Sequence, residues 1–246
     1  MKVFKVVSTF ALIFCLLIAM SSATAFGAST YTVSEYDMIK NLQKSSKAEL
    51  IKAGYSKKEI DMIKQPLKSK EKYGLVTYTI SYSKMYQKKG YTYLRTKMTW
   101  SWSQVPACTF TDIAAMTTSK EFLRDSATAT VYYYVNGDKS RKRVKKHPKV
   151  RNANSGQGVY CRFKLGRGWD RDNKTYTSYA MKGSIVTNWS IDSKVKQVGI
   201  SSNYGHTKID ITPGVSISAS GASIGFTPKA SCKSGDETYI KAKLKK

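Results

Sequence analysis

The stretch Tyr73–Trp102, YGLVTYTISYSKMYQKKGYTYLRTKMTWSW, decides the fold. Val76, Tyr78, Ile80 and Tyr82 alternate with Thr77, Thr79 and Ser81. That period of two sends every second side chain to one face, as a half-buried strand requires. Gln87-Lys88-Lys89-Gly90 interrupts the run. Alternation then resumes, with Leu94, Met98, Trp100 and Trp102 on one face and Tyr93, Arg95 and Lys97 on the other. Two alternating runs about a Gly-bearing turn predict a β-hairpin.

Towards the C-terminus the same period recurs. Thr111–Met116, Thr128–Val135, Val159–Leu165, Tyr176–Met181, Ser184–Ile191 and Val195–Ile200 read as strands, followed by Ile209–Ile211, Val215–Ala219, Ser223–Phe226 and Thr238–Ala242. Asn136-Gly137 is a strong turn signal. Short strands at roughly ten-residue spacing, with no helices between them, predict an antiparallel β-sandwich or barrel-like domain over residues 73–246.

Towards the N-terminus the pattern changes. Ser34 with Asp37, Ser46 with Glu49 and Ser56 with Glu59 each repeat a Ser-x-x-acid capping signature. Gly54 suits a helix C-cap, and Pro66 stops a helix. Residues 26–72 therefore read as a helical segment, with two short helices hooked at Gly54-Tyr55. Before it, Lys2 and Lys5 precede an apolar run from Val6 to Met20 and then small residues, with Ala23 and Ala25 at the positions a signal peptidase reads. Residues 1–25 are expected to be a cleaved signal peptide. The chain is expected to be secreted and extracellular, either free or associated with the cell wall.

Three passages carry a resemblance. AELIKAGYSKKEID (Ala48–Asp61), WSWSQVPACTFTDIAA (Trp100–Ala115) and YGHTKIDITPGVSISASGASIGFTP (Tyr204–Pro228) resemble small exported β-rich proteins of Gram-positive bacteria, mostly uncharacterised and some of them bacteriocin-like. The resemblance implies a β-rich fold and an extracellular place. It implies no catalytic residue.

The chain has 246 residues, with 42 Lys+Arg against 16 Asp+Glu and a formal net charge of +26. At 41% hydrophobic and 12% aromatic it has the apolar content that disordered polycations lack. The charge is uneven, since residues 128–182 hold fourteen basic and three acidic residues. Lys139, Arg141, Lys142, Arg143, Lys145, Lys146, Lys149 and Arg151 form its densest run, with Tyr132, Tyr134, Tyr160 and Trp169 expected as an aromatic border. Like charges this close repel, and a polyanion relieves that cost. The expected partner is an anionic envelope polymer, such as a teichoic acid, or an anionic membrane surface. Sequence-specific nucleic-acid binding is not expected of an exported chain.

Motifs for chemistry are sparse. His147 sits among cations, which disfavour its protonated form. His206 has no Gly-x-Ser-x-Gly elbow before it and reads as a hydrogen-bonded loop histidine. Asp112, near Trp100 and Trp102, is the least poor candidate acid, yet a turn role explains it equally. Asp170-Arg171-Asp172-Asn173 opens like a calcium loop but lacks the later Gly and Glu and lies among cations. No metal, no cofactor and no enzymatic activity are expected. Cys108, Cys161 and Cys232 remain beyond the leader. One disulfide with a free thiol, an intermolecular bridge, and three buried thiols all fit that number.

Thr212–Thr227, TPGVSISASGASIGFT, carries no charge and alternates about Gly221. Val215, Ile217, Ala219, Ile224 and Phe226 are candidates for one face of a membrane hairpin. The leading expectation is thus a non-enzymatic binder of polyanionic envelope material. The alternative is a bacteriocin-like or β-pore-forming toxin acting on anionic membranes.

Overall fold

A computed structural model of the chain describes residues 27–52, 54–141, 143–153, 157–173, 175–207, 214–218, 221–225 and 238–244. The expected signal peptide, Lys142, Ala219, Phe226, Cys232 and the strand expected at Ile209–Ile211 lie outside the described residues.

The fold is mainly β, in two antiparallel sheets. The first contains β1 (Gly27–Ser34), β2 (Leu75–Lys88), β3 (Tyr91–Trp102), β5 (Leu123–Val135), β6 (Arg143–Lys146), β9 (Gly166–Asp170) and β10 (Thr175–Ile191). Its order is β1-β2-β3-β10-β5-β6, with β9 paired to the start of β10. The second contains β4 (Thr111–Thr118), β7 (Val150–Asn152), β8 (Gly158–Lys164), β11 (Gln197–Thr207) and β14 (Thr238–Lys243), in the order β14-β11-β4-β8-β7. A separate two-stranded sheet pairs β12 (Gly214–Ser218) with β13 (Gly221–Gly225).

The alternation read from Tyr73–Trp102 produces the inner face. Val76, Tyr78, Ile80, Leu94, Met98, Trp100 and Trp102 are all buried. Lys89 and Gly90 take positive φ, 49° and 88°, and close the β2–β3 hairpin in two residues. Inward residues of the two sheets then meet ring against ring. Trp100 stacks on Phe163 at 5.1 Å and 13°, and Trp102 donates its indole N–H to the Tyr204 hydroxyl at 3.1 Å. Aromatic pairs of this kind add to area burial because ring edges and faces carry opposite partial charge.

Helices occupy one end: α1 (Glu35–Leu42), α2 (Lys47–Lys52) and α3 (Lys57–Lys64), with a short 3-10 turn at Lys70–Lys72. The helical segment expected from residue 26 begins instead at Glu35. Tyr31 and Val33 alternate with Thr30 and Thr32, and that period of two makes an edge strand running antiparallel to β2, from Gly27 opposite Tyr82 to Ser34 opposite Leu75. Ser34 makes no side-chain cap bond. Ser46 and Glu49 do exchange cap bonds, Ser46 N–H to the Glu49 carboxylate at 2.6 Å and Glu49 N–H to the Ser46 hydroxyl at 3.2 Å. Gly54, at φ 83°, turns the chain between α2 and α3, and Tyr55 N–H closes the turn onto Leu50 O at 3.0 Å. Among the described residues, no helix is long and apolar enough to cross a membrane.

The strands expected at Tyr176–Met181 and Ser184–Ile191 are one strand. A register shift between Ala180 and Lys182 lets β10 run on through Gly183, whose missing side chain leaves room for Trp100.

Candidate polyanion-binding site

The basic run lies where both sheets end on the same side. β6 is the last strand of the first sheet and β7 the last of the second, and residues 147–149 carry the chain across. Two bonds pin this corner. The His147 ring Nδ1 lies 3.1 Å from Ala129 O, and Arg124 donates to Val150 O at 3.2 Å.

The run therefore divides. In β6, Lys145 stands opposite Tyr132 and Arg143 opposite Tyr134, while Lys145 and Lys146 are exposed. Lysines on an edge strand discourage edge-to-edge pairing, which accounts for them without a ligand. Arg141 is exposed in the preceding loop. Lys139 is exposed but its ammonium reaches back to donate to Trp102 O at 2.5 Å, and partial burial there, followed by the neighbouring Lys182 charge, lowers its pKa.

The second half is different. Lys149 and Arg151 meet Arg162 and Lys164 of β8 around a groove of about 320 Å³, floored by Thr111, Tyr160 and Phe163. Among the described residues no carboxylate lines it. Burial lowers the pKa of Arg162, Tyr160 acts against it, and the Arg151 charge lowers it further. Edge protection accounts for Arg151 on the edge strand β7, but not for Arg162 and Lys164, which lie on the interior strand β8 and still gather about the same concavity at a cost in mutual repulsion.

The aromatic border is corrected in part. Tyr134 is 2% exposed, in register with Tyr179 inside the first sheet, so its ring is core. Tyr160 is 3% exposed because the Arg162 guanidinium lies over its ring at 5.3 Å, making it a floor for the groove. Tyr132 is half-buried on the outer face beside Lys145. Trp169 is 48% exposed, but it borders a different cleft, against α3. Arg162 and Lys164 were legible as cations on one face of β8. Only the β7–β8 pairing, Arg151 opposite Tyr160, shows that they share a groove with the run.

The candidate acid and histidine come together in the core. His206 Nδ1 lies 2.7 Å from the Asp112 carboxylate, and its other nitrogen is 3.8 Å from Glu35. Tyr204 donates its hydroxyl to Asp112, and Glu35 accepts backbone N–H bonds from Gly74, Ala107 and Cys108 at 3.1, 3.0 and 2.8 Å. All three ionisable residues are fully buried. They join α1, the 103–110 loop, β4 and β11 into one unit. Burial lowers the His206 pKa, but the Asp112 charge and hydrogen bond, with Glu35, outweigh it and raise the value above the ordinary 6.5. Sequence reading missed Glu35, which looks like a first-turn helix acid. Cys108 and Cys161 are both free thiols. Among the described residues no His, Cys, Asp and Glu cluster suits a metal ion.

The uncharged segment forms the β12–β13 sheet, with Val215 opposite Ile224, Ile217 opposite Ala222 and Ser216 opposite Ser223. β13 lies against β11 and β4, where the outward residues Ile113 and Ala115 are buried.

No family model matches the chain, and no curated protein matches it. Among solved structures it is similar to the collagen-binding domain of a Staphylococcus aureus adhesin (TM-score 0.31, 7% identity, covering 61% of this chain and 87% of that one). It is also similar to the KRT10-binding region domain of the pneumococcal serine rich repeat protein PsrP (TM-score 0.31, 8% identity, 88% and 97%). A third is Clostridium perfringens delta-toxin (TM-score 0.24, 8% identity, 87% of each chain). Likenesses at these scores carry no functional argument.

Proposed function

We propose that this chain is an exported, non-enzymatic protein that binds polyanionic cell-envelope material, a teichoic acid or an anionic lipid surface, through the β7–β8 groove. The observation that carries the reading is the meeting of Lys149, Arg151, Arg162 and Lys164 around one concavity that, among the described residues, no carboxylate lines. Bringing a phosphate or carboxylate there replaces cation–cation repulsion with charge-assisted hydrogen bonds, and Arg offers a planar fork suited to either anion. Each basic side chain at an anionic leaflet contributes about 1 kcal/mol. Arg151→Gln with Arg162→Gln should therefore weaken adsorption to anionic vesicles by roughly 30-fold, with little effect on zwitterionic ones. Co-sedimentation measures this, and undiminished adsorption would sink the reading.

A second reading, a membrane-active toxin, has one specific observation behind it. β12–β13 belongs to neither large sheet, and its register sets apolar residues opposite apolar and Ser opposite Ser. Its arms of five residues are short of the roughly 9–11 that a tilted strand needs to span a bilayer. On this reading Ile217→Asp abolishes dye leakage from anionic vesicles while adsorption persists. Leakage unaffected by the change would remove the hairpin from the mechanism.

A further inference from the structure

A second concavity, of about 560 Å³, opens between α3 and the β9–β10 hairpin. Its lining is mixed, with Met62, Pro106 and Phe110 apolar and Ser56, Glu59, Thr109 and Thr175 polar. Its far wall is aromatic. Trp169 meets Tyr176 edge to face at 5.0 Å, and Tyr176 meets Tyr179 likewise at 6.4 Å. That wall is built to a close fit. A side chain on Gly166 would enter the Tyr176 ring at 2.2 Å, and Gly168, at φ 66°, would strike the Thr177 hydroxyl at 2.2 Å. Gly166 lets the β9 backbone lie against the Tyr176 ring, and Gly168 lets it turn past Thr177 at positive φ.

Across the mouth, Lys58 of α3 holds its ammonium 5.7 Å from the Trp169 ring centroid. Lys58 is in no ion pair among the described residues. The acid beside it, Glu59, is turned back to accept the Ser56 backbone N–H at 2.8 Å. An exposed indole and an ammonium in no ion pair thus share one opening, with the Glu59 carboxylate in the same lining but held by the Ser56 N–H.

We propose that this cleft binds an acidic pyranose, a sugar ring bearing a carboxylate or phosphate, with the C–H face of the ring on Trp169 and its anion on Lys58. Stacking on the indole displaces Lys58 from its cation–π contact, and an anionic substituent supplies the replacement partner. A neutral sugar leaves the displaced ammonium without one. A cationic ligand meets like charge. The site uses none of the four groove cations, so it stands or falls apart from the groove.

Of the four tryptophans, Trp100, Trp102 and Trp189 are at most 2% exposed, so acrylamide quenching of tryptophan fluorescence reports on Trp169. The probes are hyaluronan hexasaccharide for the carboxylate source, glucose 1-phosphate for the phosphate source, maltohexaose as neutral sugar and inorganic phosphate as bare anion. At least one acidic sugar should protect Trp169, and maltohexaose and inorganic phosphate should not. Lys58→Gln should weaken the protecting sugar by roughly tenfold, as loss of a contact central to a small site does. Arg151→Gln with Arg162→Gln should leave it unchanged. Protection by no sugar, equal protection by maltohexaose or inorganic phosphate, or loss in the groove variant but not in Lys58→Gln would each overturn the proposal.

Discussion

At the scale of single residues, the buried trio of Glu35, Asp112 and His206 governs how the helical end is tied to the sandwich. Its carboxylates face one imidazole, and removing a partner leaves an unpaired charge in a fully buried site. Asp112→Asn should cost about 3–5 kcal/mol in urea unfolding, a loss no exposed carboxylate would give. The His206 pKa is higher folded than unfolded, so the folded state holds this proton more tightly. Its contribution is complete below pH 6.5 and is lost as pH rises through the folded value. The stability difference between wild type and His206→Asn should therefore shrink as pH is raised from 5 to 9. A constant difference would contradict the charged imidazole. Burial, followed by the Glu35 and Glu59 charges, pushes the Cys108 thiol up to about 12, and burial likewise raises Cys161. Neither thiol should react with a thiol-specific reagent at neutral pH until the protein is unfolded. Asp112 and His206 were visible in the sequence as isolated candidates. Their meeting was not, because it depends on β4 pairing with β11 and placing Asp112 opposite His206.

At the scale of elements, periodicity carried most of the reading. The hairpin of Tyr73–Trp102 holds its place in the first sheet because its two alternating runs, offset by one register shift between Tyr82 and Lys84, meet at a turn that tolerates positive φ. Where the reading failed, a tertiary contact overrode a local signal. Lys182-Gly183 looks like a break between strands, yet Gly183 lies mid-strand opposite Trp100. A methyl there would sit 2.1 Å from the Trp100 ring and 2.8 Å from Thr130 O. Trp100 is held against Phe163 and cannot swing aside. Gly183→Ala should thus destabilise by about 1–3 kcal/mol in denaturant unfolding, through overpacking. An unchanged midpoint would mean that the two sheets are less tightly joined at this point. Gly27–Ser34 is a similar case. Its Ser-x-x-acid signature marks the helix start correctly, with Ser34 at the N-cap of α1, but the residues before it, read as helical, alternate with period two and pair along β2 as a strand.

At the scale of the whole molecule, the question is why a chain carrying 42 basic and 16 acidic residues keeps so much like charge together. The sequence showed the run Lys139–Arg151 as one object. The fold makes it two, because the chain changes sheets at His147-Pro148. The β6 half has a sufficient explanation in edge protection, and the β7 half, joined by Arg162 and Lys164, does not. The central claim is that the groove, rather than basicity at large, grips the polyanion. The measurement that tests it most directly compares two variants of equal charge loss by the salt dependence of their binding to anionic vesicles. One replaces Arg151 and Arg162 with Gln in the groove, and the other replaces Lys145 and Lys146 with Gln on the β6 edge. The account predicts that the groove variant binds more weakly and with a shallower fall of affinity against salt, while the edge variant stays near wild type. Equal weakening of both variants, or weakening of the edge variant alone, would contradict it.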